Sequence, residues 1–243
     1  MKNNYDKIAR YYDRLSRLVF FKSQVNAQLH QLRYLPEKGR ILVVGGGTGW
    51  ILEEIAKVVP EGLHLVYVEI SAKMMALSKE RPVARNTVDF VNLGIEDFYT
   101  DQPFDVICTP FLFDNFAEER AVMVFHHLDS MLRKGGLWFH TDFDLAVNKG
   151  ETNGQKPNNG NWWKTVFLAL MYRFFKLIAN VEASKLINMK PYFEAADYKV
   201  LEQKHYYSKF IQSLVLEKSF SKAGDKITQL FISGNAKTCK AWL

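Results

Sequence analysis

The stretch ILVVGGGTGW, residues 41–50, decides the fold of this 243-residue chain. Four aliphatic residues, Ile41 to Val44, run into three consecutive glycines, and a fourth glycine follows at position 49. Such a change is typical of a buried strand that ends in a tight loop before a helix. The loop then offers backbone N–H groups and a helix N-terminus to a ligand. The first question is therefore which ligand requires a loop without side chains.

Apolar runs with helical patterns between them recur along the chain. Strands are predicted at 40–44, 63–70, 88–93, 104–111 and 136–143, and helices at 50–59, 71–80 and 117–132. The runs are nearly continuous in hydrophobicity, as a parallel sheet covered on both faces requires. A helix near 189–196 and two strands, 198–207 and 210–218, joined at about Ser208–Lys209, follow as an antiparallel pair. We predict an α/β, Rossmann-like, doubly wound fold with a seven-stranded sheet, mostly parallel with an antiparallel C-terminal hairpin.

The domain prediction is one unit over residues 1–218. It comprises N-terminal cap helices (1–35), a cofactor-binding core (40–143), a substrate-side insertion or lid (144–196) and the closing hairpin (197–218). The helix at 117–132 is expected to end at Lys134-Gly135-Gly136. Residues 219–243 are interpreted as a tail with no functional signal.

Composition narrows the class of protein. The net charge of +6 is spread along the chain rather than clustered, so nucleic acid is not favoured as a partner. Two cysteines give neither a disulfide framework nor a spaced metal-ligand set, which favours a cytoplasmic location. The N-terminus lacks the apolar segment of a signal peptide. The longest apolar stretch, 166–181, is shorter than a membrane span of about 20 residues.

The glycine spacing and one downstream acid narrow the ligand. Gly45, Gly47 and Gly49 give GxGxG, and Trp50 stands where the dinucleotide fingerprint requires its third glycine. Glu69 ends the second strand-like run, where a carboxylate in a doubly wound fold accepts the hydroxyls of a ribose. The two features together favour an adenosine-type ligand, and the acid disfavours a 2′-phosphate.

Five motifs in order, ILVVGGGTG, VYVEISAKMM, VNLGIEDF, FDVICTPF and MLRKGGLWF, resemble those of class I S-adenosylmethionine-dependent methyltransferases. The opening YDKIARYYD is similar to the N-terminal helix of the ubiquinone/menaquinone methyltransferase-like (type 11) subgroup. The resemblance covers roughly residues 5 to 143.

The resemblance implies a methyltransferase whose cofactor is S-adenosylmethionine and whose product is S-adenosylhomocysteine. The cofactor-binding residues it implies are Tyr12, Gly45, Gly46, Gly47, Gly49, Glu69, Ile70, Ile95, Glu96 and Thr109, with Tyr5 and Asp13 closing the site from above. In that arrangement the glycines lie under the methionine part and Glu69 holds the ribose. Ile70 packs against the adenine, Ile95 offers its backbone N–H to the adenine edge, and Thr109 lines the methionine end. Two positions depart from the family, since Val43 and Gly94 stand where relatives usually have acids.

Methyl transfer from a sulfonium is an in-line displacement, so the protein chiefly aligns the acceptor and excludes water. Where a general base is used, the candidates are Asp114, His140 and Asp142, because ligands bind at the carboxyl ends of the strands. Each also has a structural interpretation, as a helix-start acid or as a residue satisfied within the sheet. Asp142 and Asp144 lack a third ligand, so no metal is expected.

The segment NWWKTVFLALMYRFFKLI concentrates aromatic residues between the fifth strand and the hairpin. One interpretation is a core helix. The other is a lid over an apolar or aromatic small-molecule acceptor, with Trp162, Trp163 and Tyr172 as substrate-binding residues and a peripheral membrane contact through Lys164, Arg173 and Lys176.

Three alternatives stay open. FDVICTPF is similar to the NPPY-type motif of enzymes that methylate amino groups of bases, with Cys108 and Thr109 replacing the key amide and first proline, so an RNA or other nucleic-acid methyltransferase is one. A nicotinamide oxidoreductase is a second, opposed by Trp50. A non-catalytic cofactor-binding protein is a third, because of Val43 and Gly94. Oligomeric state is not indicated by the sequence.

Overall fold

A computed structural model describes residues 23–144, 186–207 and 209–220 of the chain. In this part of the chain no helix is long and apolar enough to cross a bilayer.

Seven strands form one sheet. In chain order they are β1 (Gly39–Val44), β2 (Leu63–Val68), β3 (Thr87–Val91), β4 (Phe104–Pro110), β5 (Leu132–Phe143), β6 (Tyr198–Tyr206) and β7 (Ile211–Lys218). Their spatial order is β3-β2-β1-β4-β5-β7-β6. The first five strands pair in parallel, whereas β7 pairs antiparallel with both β5 and β6. The predicted fold is confirmed, including the closing hairpin.

Helices connect the strands. The α-helices are α1 (Ser23–Leu29), α2 (Trp50–Val58), α3 (Ala72–Ser78), α4 (Glu118–Met131) and α5 (Lys190–Ala195). Short 3-10 helices occupy His30–Tyr34, Ile95–Asp97 and Phe113–Asn115.

The junction after α4 differs from the sequence prediction. The helix ends at Met131, and β5 begins at the next residue, Leu132, rather than at position 136. Leu132 already pairs with Phe104, and the register then shifts before Val106 pairs with Leu137. Gly135 lies within this shift, and its φ of +68° is the left-handed conformation that glycine adopts freely. The Lys-Gly-Gly signal therefore marks an irregularity inside the strand rather than the end of a helix.

The sheet is buried on both faces. In β1, Leu42 and Val44 pack in one hydrophobic cluster, whereas Ile41 and Val43 pack in a second cluster. Alternate side chains of a strand point to opposite faces, so the two clusters cover opposite sides of the sheet. This explains why the strand sequences are continuously apolar rather than alternating.

Hydrogen bonds fix α1 and the 3-10 helix that follows it to the sheet. The Gln31 side-chain amide donates to the carbonyl oxygens of His140 and Leu214, both at 3.0 Å. The Ser213 hydroxyl donates to the Ala27 carbonyl oxygen at 2.6 Å. These buried contacts hold α1 and the 3-10 helix that follows it against β5 and β7.

The predicted domain limits stay predictions. Most of the cap, nearly all of the insertion and most of the tail lie outside the described residues.

Candidate functional site

One cavity lies at the carboxyl ends of the parallel strands, with α1 along one side. It is lined by Gln24, Val25, Gln28, Val44, Gly45, Gly46, Gly47, Thr48, Trp50, Val68, Glu69, Ile70, Met74, Leu93, Gly94, Ile95, Glu96, Pro110, Phe111, Leu112, Asn115, Phe116 and Arg120. Its walls therefore come from the loops after β1, β2, β3 and β4. This is the edge of a doubly wound sheet at which ligands bind.

Three of the four predicted glycines line this cavity. Gly45 and Gly47 have φ angles of +67° and +63°, which favour glycine. A side chain is excluded at Gly46 for another reason: a Cβ placed there would lie 2.5 Å from the ring carbon Cε2 of Tyr67. Gly49, also at positive φ, does not line the cavity, and its Cβ would lie 2.5 Å from the Cβ of Ser78. The absence of a side chain at Gly49 therefore allows α2 and α3 to pack closely, and does not serve contact with a ligand.

Hydrogen bonds from two side chains, those of Tyr67 and Arg81, hold the glycine loop in place. The Tyr67 hydroxyl donates to the carbonyl oxygen of Gly47 at 2.9 Å. Arg81, beyond α3, donates to the Thr48 carbonyl oxygen at 2.9 Å and pairs with Glu53 of α2 at 2.8 Å. These contacts fix the loop conformation, so the site is preformed.

Glu69 joins the end of β2 to the glycine loop. Its Oε2 accepts a hydrogen bond from the Gly47 N–H at 3.1 Å, and its Oε1 accepts one from the Ser71 N–H at 2.8 Å. The side chain is nearly buried, with 4% of its surface exposed, and it lines the cavity. A carboxylate has about four acceptor positions and can accept several hydrogen bonds at once. Glu69 and the glycine loop, which the sequence analysis combines as signs of one ligand site, are in hydrogen-bond contact in the structure.

The far end of the cavity, next to β3, combines apolar and charged groups. Ile70 and Ile95, both predicted cofactor-binding residues, line it. Glu96 also lines it and pairs with Arg120 of α4 at 2.5 Å. The Arg120 guanidinium lies 4.8 Å from the ring centre of Phe116, a cation–π distance.

Thr109 is not among the residues that line the cavity. It is fully buried, and its hydroxyl accepts a hydrogen bond from the Trp138 indole N–H at 2.9 Å. Thr109 and Ile107 lie on the same face of β4, and Ile107 packs in the cluster under α4. The side chain of Thr109 therefore points into the core on the α4 side of the sheet, and not toward the cavity at the carboxyl ends of the strands. Its position does not support the prediction that it contacts the cofactor.

His140 is likewise enclosed in the core. Its ring lies 5.7 Å from that of Phe113 and 5.4 Å from that of Phe193, and its Nδ1 is 3.4 Å from the Thr109 hydroxyl oxygen. Burial lowers the pKa of His140 to about 3. His140 does not line the cavity, and an enclosed, neutral imidazole is placed as a packing residue would be, so its role as a base stays a prediction.

Asp114 and Asp142 are neighbours beside the cavity. Oδ2 of Asp142 accepts a hydrogen bond from the Asp114 N–H at 3.2 Å, and its Oδ1 accepts one from the Phe143 N–H at 2.8 Å. Burial raises the pKa of Asp142 to about 7, and burial together with the charge of Asp142 raises that of Asp114. Neither residue lines the cavity, although Asn115 does and donates to Asp114 Oδ1 at 2.7 Å. Asp142 thus anchors the loop after β4, and Asp114 is hydrogen-bonded to the lining residue Asn115.

Phe111 is a lining residue that the sequence analysis does not predict. This residue lines the cavity directly after β4 with a φ of +50°, a conformation rare for an aromatic residue. Its N–H donates to the Thr141 carbonyl oxygen at 2.7 Å, and its ring lies 5.0 Å from that of Phe143. Backbone strain held by such contacts is typical of ligand sites. No local sequence signal marks a positive φ at a phenylalanine.

Other lining residues were also missed. Gln24 and Gln28 reach the cavity because α1 folds across the sheet, and Arg120 reaches it because α4 passes close to the loop after β3. Both approaches are long-range in sequence. The predicted residues Tyr5, Tyr12, Asp13, Trp162, Trp163 and Tyr172, and the basic residues Lys164, Arg173 and Lys176, lie outside the described residues.

Among residues 23–144, 186–207 and 209–220, no group of three or more histidine, cysteine or acidic side chains is arranged to hold a metal ion.

Comparisons with known proteins agree with this geometry. A family model described as a methyltransferase domain matches residues 41–136, which hold the glycine loop, Glu69 and Glu96. The chain is similar to the ubiquinone/menaquinone biosynthesis C-methyltransferase UbiE of Geotalea daltonii, with 32% identity over 114 residues, covering 44% of this chain and 48% of that protein. It is also similar to a malonyl-acyl-carrier-protein O-methyltransferase of Bacillus anthracis, with 29% identity over 91 residues, covering 37% of this chain and 33% of that protein. The chain thus spans about half the length of the first relative and about a third of the second.

Solved structures share the fold. A DhpI–SAH complex has a TM-score of 0.62 and 13% identity, covering 89% of this chain and 94% of that one. The mitomycin 7-O-methyltransferase MmcR has a TM-score of 0.59 and 12% identity, covering 86% of this chain and 58% of that one. At these identities the likeness establishes the architecture alone.

Proposed function

We propose that the chain is a class I S-adenosylmethionine-dependent methyltransferase that binds S-adenosylmethionine in the cavity and transfers the methyl group to a small apolar or aromatic acceptor. The methyltransferase-domain model over residues 41–136 and the similarity to UbiE support this proposal. The observation that carries the proposal is the contact between Glu69 and the Gly47 N–H, which brings a carboxylate and bare backbone to one cavity.

Each part of the cavity matches one part of that cofactor. Glu69 supplies acceptors for the two ribose hydroxyls. Gly45 and Gly47, with no side chains, allow the amino-acid end to lie against the backbone. Ile70 and Ile95 supply apolar faces for a purine. This division of the cavity supports an adenosine-bearing ligand over a simple phosphate.

The acceptor is proposed to lie at the end formed by the loop after β4. Phe111 lines the cavity there, and its ring begins an aromatic row, with Phe143 at 5.0 Å and Phe210 a further 5.1 Å away. Partly buried Tyr206 and Tyr207 pack against the same cluster. Aromatic side chains provide large apolar contact areas with defined stacking geometry, so this end of the site favours a flat or apolar molecule.

The chemistry asked of the protein is limited. When bound, S-adenosylmethionine supplies an electrophilic methyl group. The chain aligns the acceptor and keeps water out, which α1 supports by placing Gln24, Val25 and Gln28 along the cavity. Where the acceptor carries a proton, Asp114 is the proposed proton acceptor, because its carboxylate is hydrogen-bonded to Asn115, which lines the cavity, at 2.7 Å. Burial and the Asp142 charge raise the pKa of Asp114, which makes its carboxylate a stronger base.

Calorimetric titration tests the cofactor part of the proposal. The purified chain is titrated with S-adenosylmethionine, S-adenosylhomocysteine and NAD. We expect binding of the two sulfur compounds and not of NAD. Binding of NAD alone would replace the proposal with a nicotinamide enzyme, and binding of none would overturn it.

A second experiment tests the acceptor. Incubation with methyl-labelled cofactor and a metabolite extract should place label in the fraction that partitions into organic solvent. Label found only in RNA, or no label despite cofactor binding, would contradict a small apolar acceptor.

A further inference from the structure

Helix α1 places a nearly buried glutamine side chain at the cavity. Gln28 is 7% exposed and lines the cavity together with Gln24, which lies one turn earlier on the same face of the helix. Within the described residues, its side chain makes one hydrogen bond, from Nε2 to the carbonyl oxygen of Gln24 at 3.3 Å, and no group donates to its Oε1. Buried amide oxygens in proteins are normally hydrogen-bonded, so this atom points to a ligand.

The hydrogen bond to Gln24 decides which end of the Gln28 amide is available. A glutamine amide has one acceptor oxygen and one donor nitrogen, and rotation about the last bond exchanges them. With Nε2 at the Gln24 carbonyl, donor faces acceptor, whereas the reversed amide would set two acceptor oxygens against each other. In the part of the chain that the structure describes, the fully enclosed side-chain polar atom without a partner is Nε of Arg40. Oε1 of Gln28 therefore has open space in front of it.

The backbone on both sides of Gln28 is fixed to the sheet. The carbonyl oxygen of Ala27 accepts the hydrogen bond from Ser213 in β7 at 2.6 Å. Gln31 donates to two strand carbonyl oxygens, and its Oε1 accepts a hydrogen bond from the Thr141 hydroxyl in β5 at 3.2 Å. A side chain that selects a ligand by hydrogen-bond geometry needs such a rigid support.

The end of the cavity next to Gln28 is uncharged. Ala27 packs in one cluster with Phe143 and Phe210, and Phe111 packs against the same cluster, so α1 and the loop after β4 are neighbours. The lining residues that these two segments supply are all uncharged, namely Gln24, Val25, Gln28, Pro110, Phe111 and Leu112. A charged group buried among them would lose its hydration without gaining a partner of opposite charge.

We propose that Gln28 selects the methyl acceptor by accepting, through Oε1, a hydrogen bond from an uncharged O–H or N–H group of a flat, apolar molecule. The inference rests on the proposed function, since it assumes that the acceptor lies at the end of the cavity formed by α1 and the loop after β4. It adds the polarity of the group that is recognised. A ring that carries only ether or carbonyl oxygens would set an acceptor against Oε1.

Three probes with one ring system test this selection. Of these, 2-naphthol donates a hydrogen bond, 2-methoxynaphthalene only accepts one, and 2-naphthoate is charged. Each is titrated calorimetrically into the wild-type chain saturated with S-adenosylhomocysteine. A neutral hydrogen bond contributes about twofold to tenfold in affinity, so 2-naphthol should bind more tightly than its methyl ether by about that factor. The naphthoate should bind at least about a hundredfold more weakly than 2-naphthol, because an unpaired carboxylate is costly to bury.

Gln28→Met is the informative variant. Methionine keeps the length and the helix propensity of glutamine and removes the amide. The preference for 2-naphthol over its methyl ether should fall below about 1.5-fold. Gln102→Met, the same change at an exposed glutamine that does not line the cavity, should leave the preference at its wild-type value.

The outcomes separate the two proposals. Failure of the wild-type chain to bind S-adenosylhomocysteine overturns the proposed function and this inference together. The inference alone is overturned if the chain binds S-adenosylhomocysteine but none of the probes, if the methyl ether or the naphthoate binds as tightly as 2-naphthol, or if Gln28→Met keeps the full preference. Melting temperatures show whether a weaker affinity of Gln28→Met follows from unfolding, which would lower the affinities of all probes alike.

Discussion

Gly46→Ala tests why the loop after β1 must be bare. Gly46 does not have a positive φ, so alanine is compatible with its backbone. The added methyl carbon would lie 2.5 Å from Cε2 and 2.6 Å from the hydroxyl oxygen of Tyr67. Tyr67 is fully buried and hydrogen-bonded to the loop, so neither side can move freely.

The cost follows from overpacking. A methyl group forced into a well-packed core costs about 1–3 kcal/mol of unfolding free energy. One kcal/mol shifts the melting temperature of a chain this long by about 2–4 °C. Gly46→Ala should therefore melt about 2–12 °C below the wild type in a calorimetric scan at pH 7.

A double-mutant cycle isolates the responsible contact. In a Tyr67→Leu background the ring is gone, so Gly46→Ala should cost less than about 0.5 kcal/mol, and the coupling between the two sites should exceed about 1 kcal/mol. Gly49→Ala is the matched control, because its clash is with the Cβ and Cα of Ser78 at 2.5 and 2.7 Å. Its cost should be unchanged by Tyr67→Leu. An equal cost of Gly46→Ala in both backgrounds would refute this explanation of the loop.

Three further predictions concern titration and metal. Burial raises the pKa of Asp142 to about 7, so the native state keeps a proton that the unfolded chain releases above about pH 4, and the associated stability is lost as the pH rises through about 7. In urea unfolding, Asp142→Asn should therefore gain about 1–3 kcal/mol relative to the wild type between pH 4 and pH 8, and a constant difference would contradict this assignment. Because burial lowers the pKa of His140 to about 3, His140→Gln should lower the melting temperature without changing the pH dependence of methyl transfer between about pH 5 and 8; a lost limb in the rate profile would support His140 as a base. Methyl transfer should survive EDTA, and restoration of a chelated sample by magnesium would show a metal requirement.

The fold could be predicted because its signals are local. Continuous apolar strands, helix patterns between them and the glycine loop all lie within short windows of sequence. The proximity of Glu69 to the glycine loop follows from the same strand pattern, since neighbouring parallel strands end at the same edge of the sheet.

The side chains that complete the site depend on long-range geometry. Thr109 and His140 have the right positions along their strands, but they point into the core under α4 rather than toward the sheet edge. The separate reasons for Gly46 and Gly49 lie in Tyr67 and Ser78, more than twenty residues away in sequence. Arg120 contacts Glu96 because α4 passes close to the loop after β3. Spacing alone could not distinguish these cases.

The most direct test of the central claim is the affinity of S-adenosylhomocysteine for the wild-type chain and for Glu69→Gln, measured by calorimetry. The variant replaces an acceptor-only carboxylate with an amide at the proposed ribose contact. Glu54→Gln, at a partly exposed residue of α2 that pairs with Lys57, is the charge control. We predict binding by the wild type and by Glu54→Gln, and binding at least about tenfold weaker by Glu69→Gln because one charge-assisted hydrogen bond or more is lost. Equal affinity of Glu69→Gln and the wild type would contradict the assignment of this cavity to the nucleoside.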